Sequence, residues 1–213
     1  ARDMASIGIP LIGVNMGTLG YLCELERSTV FDAIDRLFED RYELEERMLI
    51  KGSSQKDGLG KATFALNDIV IHRTGLPQIV NLIVSVNGEY LANYSADGII
   101  ISTPTGSTGY SMSAGGPIVD PKADLMLITP INPHSALAKS IVVGSDAVID
   151  VTLAKRRQEE DEEAEVSFDG DRFVHMKVGD SIRIQKANAY AKILKLNQLS
   201  FLQILRKKMQ EIH

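Results

Sequence analysis

Between Ser102 and Gly116 the chain reads Ser-Thr-Pro-Thr-Gly-Ser-Thr-Gly-Tyr-Ser-Met-Ser-Ala-Gly-Gly, a run of hydroxyls and glycines interrupted by Tyr110 and Met112. Gly106 and Gly109 let a ligand approach the backbone. The hydroxyls and amides around them are hydrogen-bonding groups suited to ribose, base edges or phosphate, the more so if Ser107 starts a helix. Nucleophilic chemistry is harder to read here, because no G-x-S-x-G elbow is present and Ser107 has no readable His and Asp partners. A solvent-facing turn is the plainer reading of any Gly/Ser/Thr cluster, but a turn takes about two to five residues. This segment is far longer and carries large side chains.

Two carboxylate positions stand beside apolar strands rather than in open loops. Asp97 precedes Gly98-Ile99-Ile100-Ile101, and Asn67-Asp68 precedes Ile69-Val70-Ile71. Asp and Asn at buried edges usually have named partners, although for Asn67-Asp68 a turn between two strands is the slightly preferred reading. His72, His134, His175 and His213 show no metal-like spacing with each other or with Cys23. No zinc site and no other metal ligands are therefore expected in the chain. Gly13, Gly17 and Gly20 space as G-x-x-x-G-x-x-G, which is neither the dinucleotide fingerprint nor the phosphate loop. Close packing and ligand contact remain equal readings of those glycines.

The elements that position these residues are mostly strands. Ile9–Val14 reads as a parallel-type strand after a helix stopped by Gly8, and a helix follows from Ser28 with a capping-box-like Thr29 and Asp32. Val30, Ile34, Leu37 and Phe38 form its apolar stripe. Tyr42–Lys51 mixes charges with apolar residues, Ser53–Gly60 reads as a hairpin tip, and a domain boundary is placed near residue 45. Strands are then predicted at 62–66, 68–72, 79–86, 90–94, 99–102, 125–128, 141–143, 148–153, 164–168, 173–176, 181–185 and 190–194. Asn87-Gly88 and Asp169-Gly170 supply two-residue turns. Many short strands with few helices predict a β-sandwich rather than βαβ units. Lys155-Arg156-Arg157 and Glu159–Glu163 read as a solvated tip, and the apolar spacing from Ser200 with Arg206-Lys207-Lys208 reads as a capped final helix.

At 213 residues the chain buries roughly 70% of its unfolded surface without needing staples. A net charge of −5 gives no broad basic footprint for nucleic acid. The single Cys23 excludes an internal disulfide framework and points to a reducing compartment, the cytoplasm. No apolar run reaches membrane-spanning length and no basic-then-apolar leader is present, so neither a membrane partner nor secretion is expected.

Five segments occur in an order that resembles NAD kinases: Gly13–Leu22, Asn67-Asp68, Asp97–Pro117, Pro130–Ser135 and Val166–Gly170. The resemblance spans nearly the whole chain, and Thr-Pro-Thr-Gly-Ser-Thr-Gly-Tyr-Ser with Ser-Ala-Gly-Gly-Pro is its most specific part. It implies an α+β chain that is mostly β. Residues 1–45 would be the remnant of an N-terminal α/β domain, 46–195 a β-sandwich that binds NAD, and 196–213 a helix returning to the first domain. It implies transfer of a phosphoryl group from ATP or polyphosphate, with Mg²⁺ or another divalent cation, to the 2′-hydroxyl of the adenosine ribose of NAD. A homodimer or homotetramer is also implied. By position, Asn67, Ser107 and Thr108 would meet the adenine and Asp68 the ribose hydroxyls. Asp97 and Gly109 would lie toward the nicotinamide, Tyr21 and Tyr110 match ring-contacting positions, and Ser113 matches a polar one.

Three departures from the family pattern stand out. Asp68 replaces the usual Glu and Gly109 the usual Ala, both tolerable changes. The Gly-Gly-Asp-Gly-Thr motif, whose Asp is the proposed general base and whose glycines cradle ATP phosphates, does not occur in the sequence. It should lie upstream of Ala1, so no catalytic residue is expected in the chain itself, and an incomplete, inactive portion of a kinase is the expectation. A lipid or sugar kinase of the same superfamily and a non-catalytic dinucleotide-binding module are the competing readings.

Overall fold

The structure, a computed structural model, describes residues 4, 7–15, 25–54, 63–75, 79–155, 162–196 and 199–210. The chain divides into two compact units, one formed by Ala1–Arg47 with Ala189–His213 and the other by Met48–Asn188.

In chain order the strands are β1 (Val14–Asn15), β2 (Leu25–Glu26), β3 (Glu43–Ser54), β4 (Thr63–Ala65), β5 (Asp68–Arg73), β6 (Val80–Val86) and β7 (Glu89–Ala96). They continue as β8 (Gly98–Ser102), β9 (Leu125–Ile131), β10 (Ile141–Gly144), β11 (Ile149–Ala154), β12 (Glu163–Phe168), β13 (Asp171–Lys177) and β14 (Ser181–Lys195). Helices are α1 (Val30–Phe38), the single-turn α2 (Tyr110–Ser113) and α3 (Phe201–Gln210).

The larger unit is the expected β-sandwich. One six-stranded sheet runs β10-β9-β8-β5-β12-β13, antiparallel throughout. The other runs β4-β3-β14-β11-β6-β7. Because side chains alternate across a strand, one set from each sheet faces inward. Ile69 and Ile71 on β5, Ile99 and Ile101 on β8, and Met126 and Ile128 on β9 meet Ile50, Leu82, Val84, Ile149, Val151 and Ile182 of the other sheet in one cluster. Each such burial stabilises by about 1.5–3 kcal/mol. Gly52 makes room for a ring, since a Cβ there would lie 2.8 Å from Phe168 Cε1. Asn87-Gly88 and Asp169-Gly170 both take positive φ, as two-residue hairpin turns demand.

The opposite face of the first sheet matters for the site. The register aligns Asp68 with Ser102, Val70 with Ile100 and His72 with Gly98 across β5 and β8. Val70, Ile100 and Ile131 form a second apolar patch, against which Ala114 of the loop after β8 packs. That loop therefore folds back over the sheet instead of projecting from it.

In the smaller unit β1 and β2 pair in parallel, and Leu11 forms a parallel bridge to Ile193, with its amide 2.8 Å from the Lys192 carbonyl. Gly8 takes φ +70°, the conformation of a helix-ending glycine. Several local expectations are corrected. Thr29 makes no side-chain capping bond, so the capping box does not form. On α1 the buried residue is Ala33, packed with Leu25 and Leu196 while Leu37 sits partly buried beside them, and Phe38 is 85% exposed rather than on the packing stripe. Arg36 Nη2 donates to the Leu196 carbonyl. On α3, Ser200 and Gln203 cap each other reciprocally, at 2.8 and 3.2 Å.

Residues 43–52, not read as a strand, form most of β3; Glu45 pairs with Arg47 at 2.8 Å and with Lys195 at 3.4 Å, which neutralises the charges that obscured the pattern. The strands predicted at 181–185 and 190–194 are one continuous strand, β14, with Ala187 and Ala191 buried along it. Glu162 is buried rather than solvated, and residues 156–161 of the charged tip lie outside the described residues, as do Gly17, Gly20, Tyr21 and Cys23.

Candidate functional site

The polar loop begins where β8 ends. Thr103 is fully buried, its amide donates to the Asn67 carbonyl at 2.9 Å and its hydroxyl to the Leu66 carbonyl at 2.6 Å. The same Oγ1 accepts from the Gly106 amide at 3.1 Å. Thr105–Thr108 then form a 3-10 turn, so Ser107 sits inside a turn and does not open a helix; α2 starts only at Tyr110. Ser107 is fully buried, with its hydroxyl donating to Pro104 O at 2.7 Å and accepting from Val119 N at 3.0 Å. Ser111 Oγ lies 3.1 Å from Thr129 Oγ1. These hydroxyls hold the loop together. The groups left at its surface are Gly109, Tyr110, Met112, Ser113 and Gly115, with Thr108 half-buried beside them.

Two glycines in the loop differ in what they permit. A Cβ on Gly106 would collide with the Asn67 carbonyl and come within 2.8 Å of Asn67 Cα, so no larger residue fits. A Cβ on Gly109 would meet only the Gly106 carbonyl oxygen at 3.3 Å, which leaves room for alanine with a small adjustment.

The loop thus closes directly onto Asn67-Asp68. Those two residues are not a free turn: Asp169, in the turn between β12 and β13, accepts from the amides of Leu66 at 2.8 Å, Asn67 at 2.7 Å and Asp68 at 3.2 Å. Asp68 is 6% exposed, and no donor among the described residues reaches its carboxylate. Burial, and secondarily the charge of Asp169, push its pKa from 3.8 up to about 6. Ser102, its cross-strand neighbour, carries a buried hydroxyl without a hydrogen-bond partner among the described residues.

Asp97 sits at the other end of β8. Its carboxylate accepts from Arg73 Nε at 3.0 Å and from Asn132 Nδ2 at 3.0 Å, and its amide donates to the Ile131 carbonyl at 3.0 Å. Asn132 takes a positive φ of 44°. Nothing in the sequence pointed to Arg73, and Asp169 was legible only as a turn residue within the Val166–Gly170 segment, because the groups they hold are remote along the chain. Two histidines that looked unrelated are also brought together: His72 and His175 lie on either side of Glu165, at 3.8 and 3.9 Å. No group among the described residues is arranged to hold a metal ion.

The comparisons with known proteins match this architecture. The model of the ATP-NAD kinase C-terminal domain matches residues 66–196 and that of the ATP-NAD kinase N-terminal domain residues 1–42. The NAD kinase of Agathobacter rectalis is 56% identical over 209 residues, covering 98% of this chain and 73% of its own length.

The chain belongs to the NAD kinase family.

A second member, the NAD kinase of Lachnoclostridium phytofermentans, is 44% identical over 98% of this chain and 74% of its own length. Among solved structures, yeast NADH kinase complexed with NADH aligns with a TM-score of 0.88 at 25% identity, over 94% of this chain and 60% of that one. An NAD kinase from Archaeoglobus fulgidus in complex with ATP aligns with a TM-score of 0.79 at 27% identity, over 96% of this chain and 75% of that one. The chain therefore spans about three quarters of the length of its bacterial relatives and 60% of the yeast enzyme. No helix among the described residues is long and apolar enough to cross a membrane.

Proposed function

We propose that this chain is the dinucleotide-holding part of a kinase that transfers the γ-phosphoryl group of ATP to the 2′-hydroxyl of the adenosine ribose of NAD, yielding NADP and ADP. The observation that carries the proposal is the buried Asp68 carboxylate, without a donor among the described residues and with its pKa raised to about 6. Burying an ionised carboxylate without hydrogen bonds is costly, and a ribose diol supplies the two O–H donors that would relieve it. Asn67, the preceding residue with a half-buried side chain, and the half-buried Thr108 are assigned to a base edge, and Ser107 acts by holding the loop in shape. Gly109, Tyr110 and Ser113 form the exposed rim assigned to the remainder of the dinucleotide, with Asp97 toward the nicotinamide end.

This part of the site positions and orients. Phosphoryl transfer demands little covalent chemistry from a protein, and holding the acceptor hydroxyl in line accounts for much of the rate. The described residues gather no cluster fit to hold a metal ion, so the divalent cation that accompanies ATP is given no protein ligands here and no step is assigned to it. The general base is likewise not assigned within the chain. Since Gly-Gly-Asp-Gly-Thr does not occur in the sequence, these 213 residues alone are expected to bind NAD without phosphorylating it. A cytoplasmic homodimer or homotetramer completes the proposal, checked by fractionation and by light scattering.

The decisive experiment is a coupled assay for NADP formation by the complete protein with ATP and Mg²⁺, run beside a panel of lipid and sugar acceptors. NADP formation is the expected result. Turnover of a lipid or sugar in place of NAD would overturn the substrate assignment, and dinucleotide binding by calorimetry without any turnover would make the protein a sensor.

A further inference from the structure

The turn between β12 and β13 asks for a residue that tolerates positive φ at position 169, and Asp169 takes φ +53° followed by Gly170 at +73°. Asparagine meets that demand at least as well as aspartate. Aspartate also carries a disadvantage here, because its charge is one of the two causes that raise the pKa of the buried Asp68. Turn formation alone therefore does not account for a carboxylate at this position.

What the carboxylate does is visible in its contacts. Oδ2 accepts from the Leu66 amide at 2.8 Å, while Oδ1 accepts from Asn67 at 2.7 Å and Asp68 at 3.2 Å. In return the Asp169 amide donates to the Asp68 carbonyl at 3.0 Å. On the other side of the same peptide units, Thr103 takes the Leu66 carbonyl through its hydroxyl at 2.6 Å and the Asn67 carbonyl through its amide at 2.9 Å. Leu66–Asp68 is thus gripped by its N–H groups from one turn and by its carbonyls from the polar loop. An amide side chain offers one oxygen, not two, and its NH₂ group would face a backbone N–H.

We infer that Asp169 is a positioning residue for the proposed nucleoside-binding edge: its two carboxylate oxygens clamp the backbone of Leu66–Asp68, so that the Asn67 and Asp68 side chains are fixed before the dinucleotide arrives. The inference rests on the dinucleotide reading above and adds a residue to it. Ordering that edge in advance removes an entropic cost from binding, so loss of the clamp appears in dinucleotide affinity before anything else.

The test uses the complete protein and Asp169→Asn, which keeps the turn while removing one acceptor and the charge. We expect KM for NAD to rise about tenfold or more, KM for ATP to stay within about twofold, and melting temperature to fall modestly. Hydrogen exchange at the amides of Leu66, Asn67 and Asp68 should accelerate while the rest of the first sheet keeps its protection. Unchanged KM for NAD in a variant whose 66–68 amides exchange faster overturns the inference. So does a uniform loss of kcat and of both affinities with faster exchange throughout, which marks a merely structural residue. If the variant does not fold, the wild-type protein still decides: rapid exchange of its 66–68 amides contradicts the clamp, and slow exchange upholds it. A wild-type protein that neither binds nor phosphorylates NAD refutes the dinucleotide reading independently of how those amides exchange.

Discussion

Replacing Asp68 by asparagine should stabilise the free protein at neutral pH while impairing its use of NAD. Asp68 as a whole residue is 6% exposed, so its raised pKa needs only a modest discount for solvent screening. Moving it from 3.8 to about 6 corresponds to about 3 kcal/mol. The folded state binds this proton more tightly than the unfolded state does, so between roughly pH 4 and 6 it carries more protons and stability falls as pH rises. Below that window both states are protonated and the penalty is absent; above it the whole penalty applies. Asparagine has no such titration. The stability difference between Asp68→Asn and wild type should therefore grow across the window by up to about 3 kcal/mol, and then level off. At about 2–4 °C per kcal/mol for a chain of this size, melting temperatures separate by several degrees more at pH 7.5 than at pH 4. The amide's own fit adds a constant of about 1–2 kcal/mol that does not vary with pH, so the slope, not the offset, is the diagnostic. Thermal melts of both proteins from pH 4 to 8 measure it, alongside NAD kinetics in which the variant loses about tenfold or more. A difference that stays constant across that range refutes the reasoning about Asp68.

Three further substitutions probe the loop and its anchors. Gly106→Ala should cost on the order of 3 kcal/mol or more or prevent folding, because its Cβ meets the Asn67 backbone, whereas Gly109→Ala should change stability by less than about 1 kcal/mol; paired thermal melts distinguish them. Thr103→Val removes a donor to Leu66 and an acceptor for Gly106 in a fully buried setting, which predicts a loss of roughly 1–3 kcal/mol in urea unfolding. Arg73→Gln releases one anchor of Asp97 at a partly exposed pair, so stability should change by less than about 1 kcal/mol while KM for NAD rises; an unchanged KM would show that the orientation of Asp97 does not matter.

What could be read from the sequence follows from how local each feature is. The alternation of Ile69 and Ile71, and of Ile99 and Ile101, is a period-two signal that survives in any context, and it located both central strands of the first sheet. Positive φ at Asn87-Gly88 and Asp169-Gly170 is likewise written into two adjacent residues. The misses have remote causes. β3 was hidden because Glu45 is neutralised partly by Lys195, a partner 150 positions away in the chain. Asp169 was legible as a turn residue and illegible as an anchor, since the amides it holds lie 101–103 residues earlier. Ser107 illustrates the same limit within the site: its type suited ligand contact, but Val119, 12 residues on, takes up the hydroxyl.

These misses also explain the character of the site. A loop of hydroxyls and glycines beside a buried carboxylate would be a weak machine for attacking a bond, since the hydroxyls of Thr103 and Ser107 are committed to the backbone carbonyls of Leu66 and Pro104. As a device for orientation the same commitments are what is needed. In-line transfer to a sugar hydroxyl gains on the order of 7–11 kcal/mol from fixed geometry, and a misplacement of about 1 Å can forfeit a hundredfold in rate. A ribose held by one carboxylate keeps its place only if the backbone carrying that carboxylate cannot shift. The Leu66–Asp68 peptide units have hydrogen-bond partners on both their N–H and carbonyl sides, and Gly106 closes against Asn67 without room for a methyl group. On the proposed reading, rigidity at Asp68 is the contribution of this part of the protein, and the contacts made by Asp169, Thr103 and Gly106 serve that end.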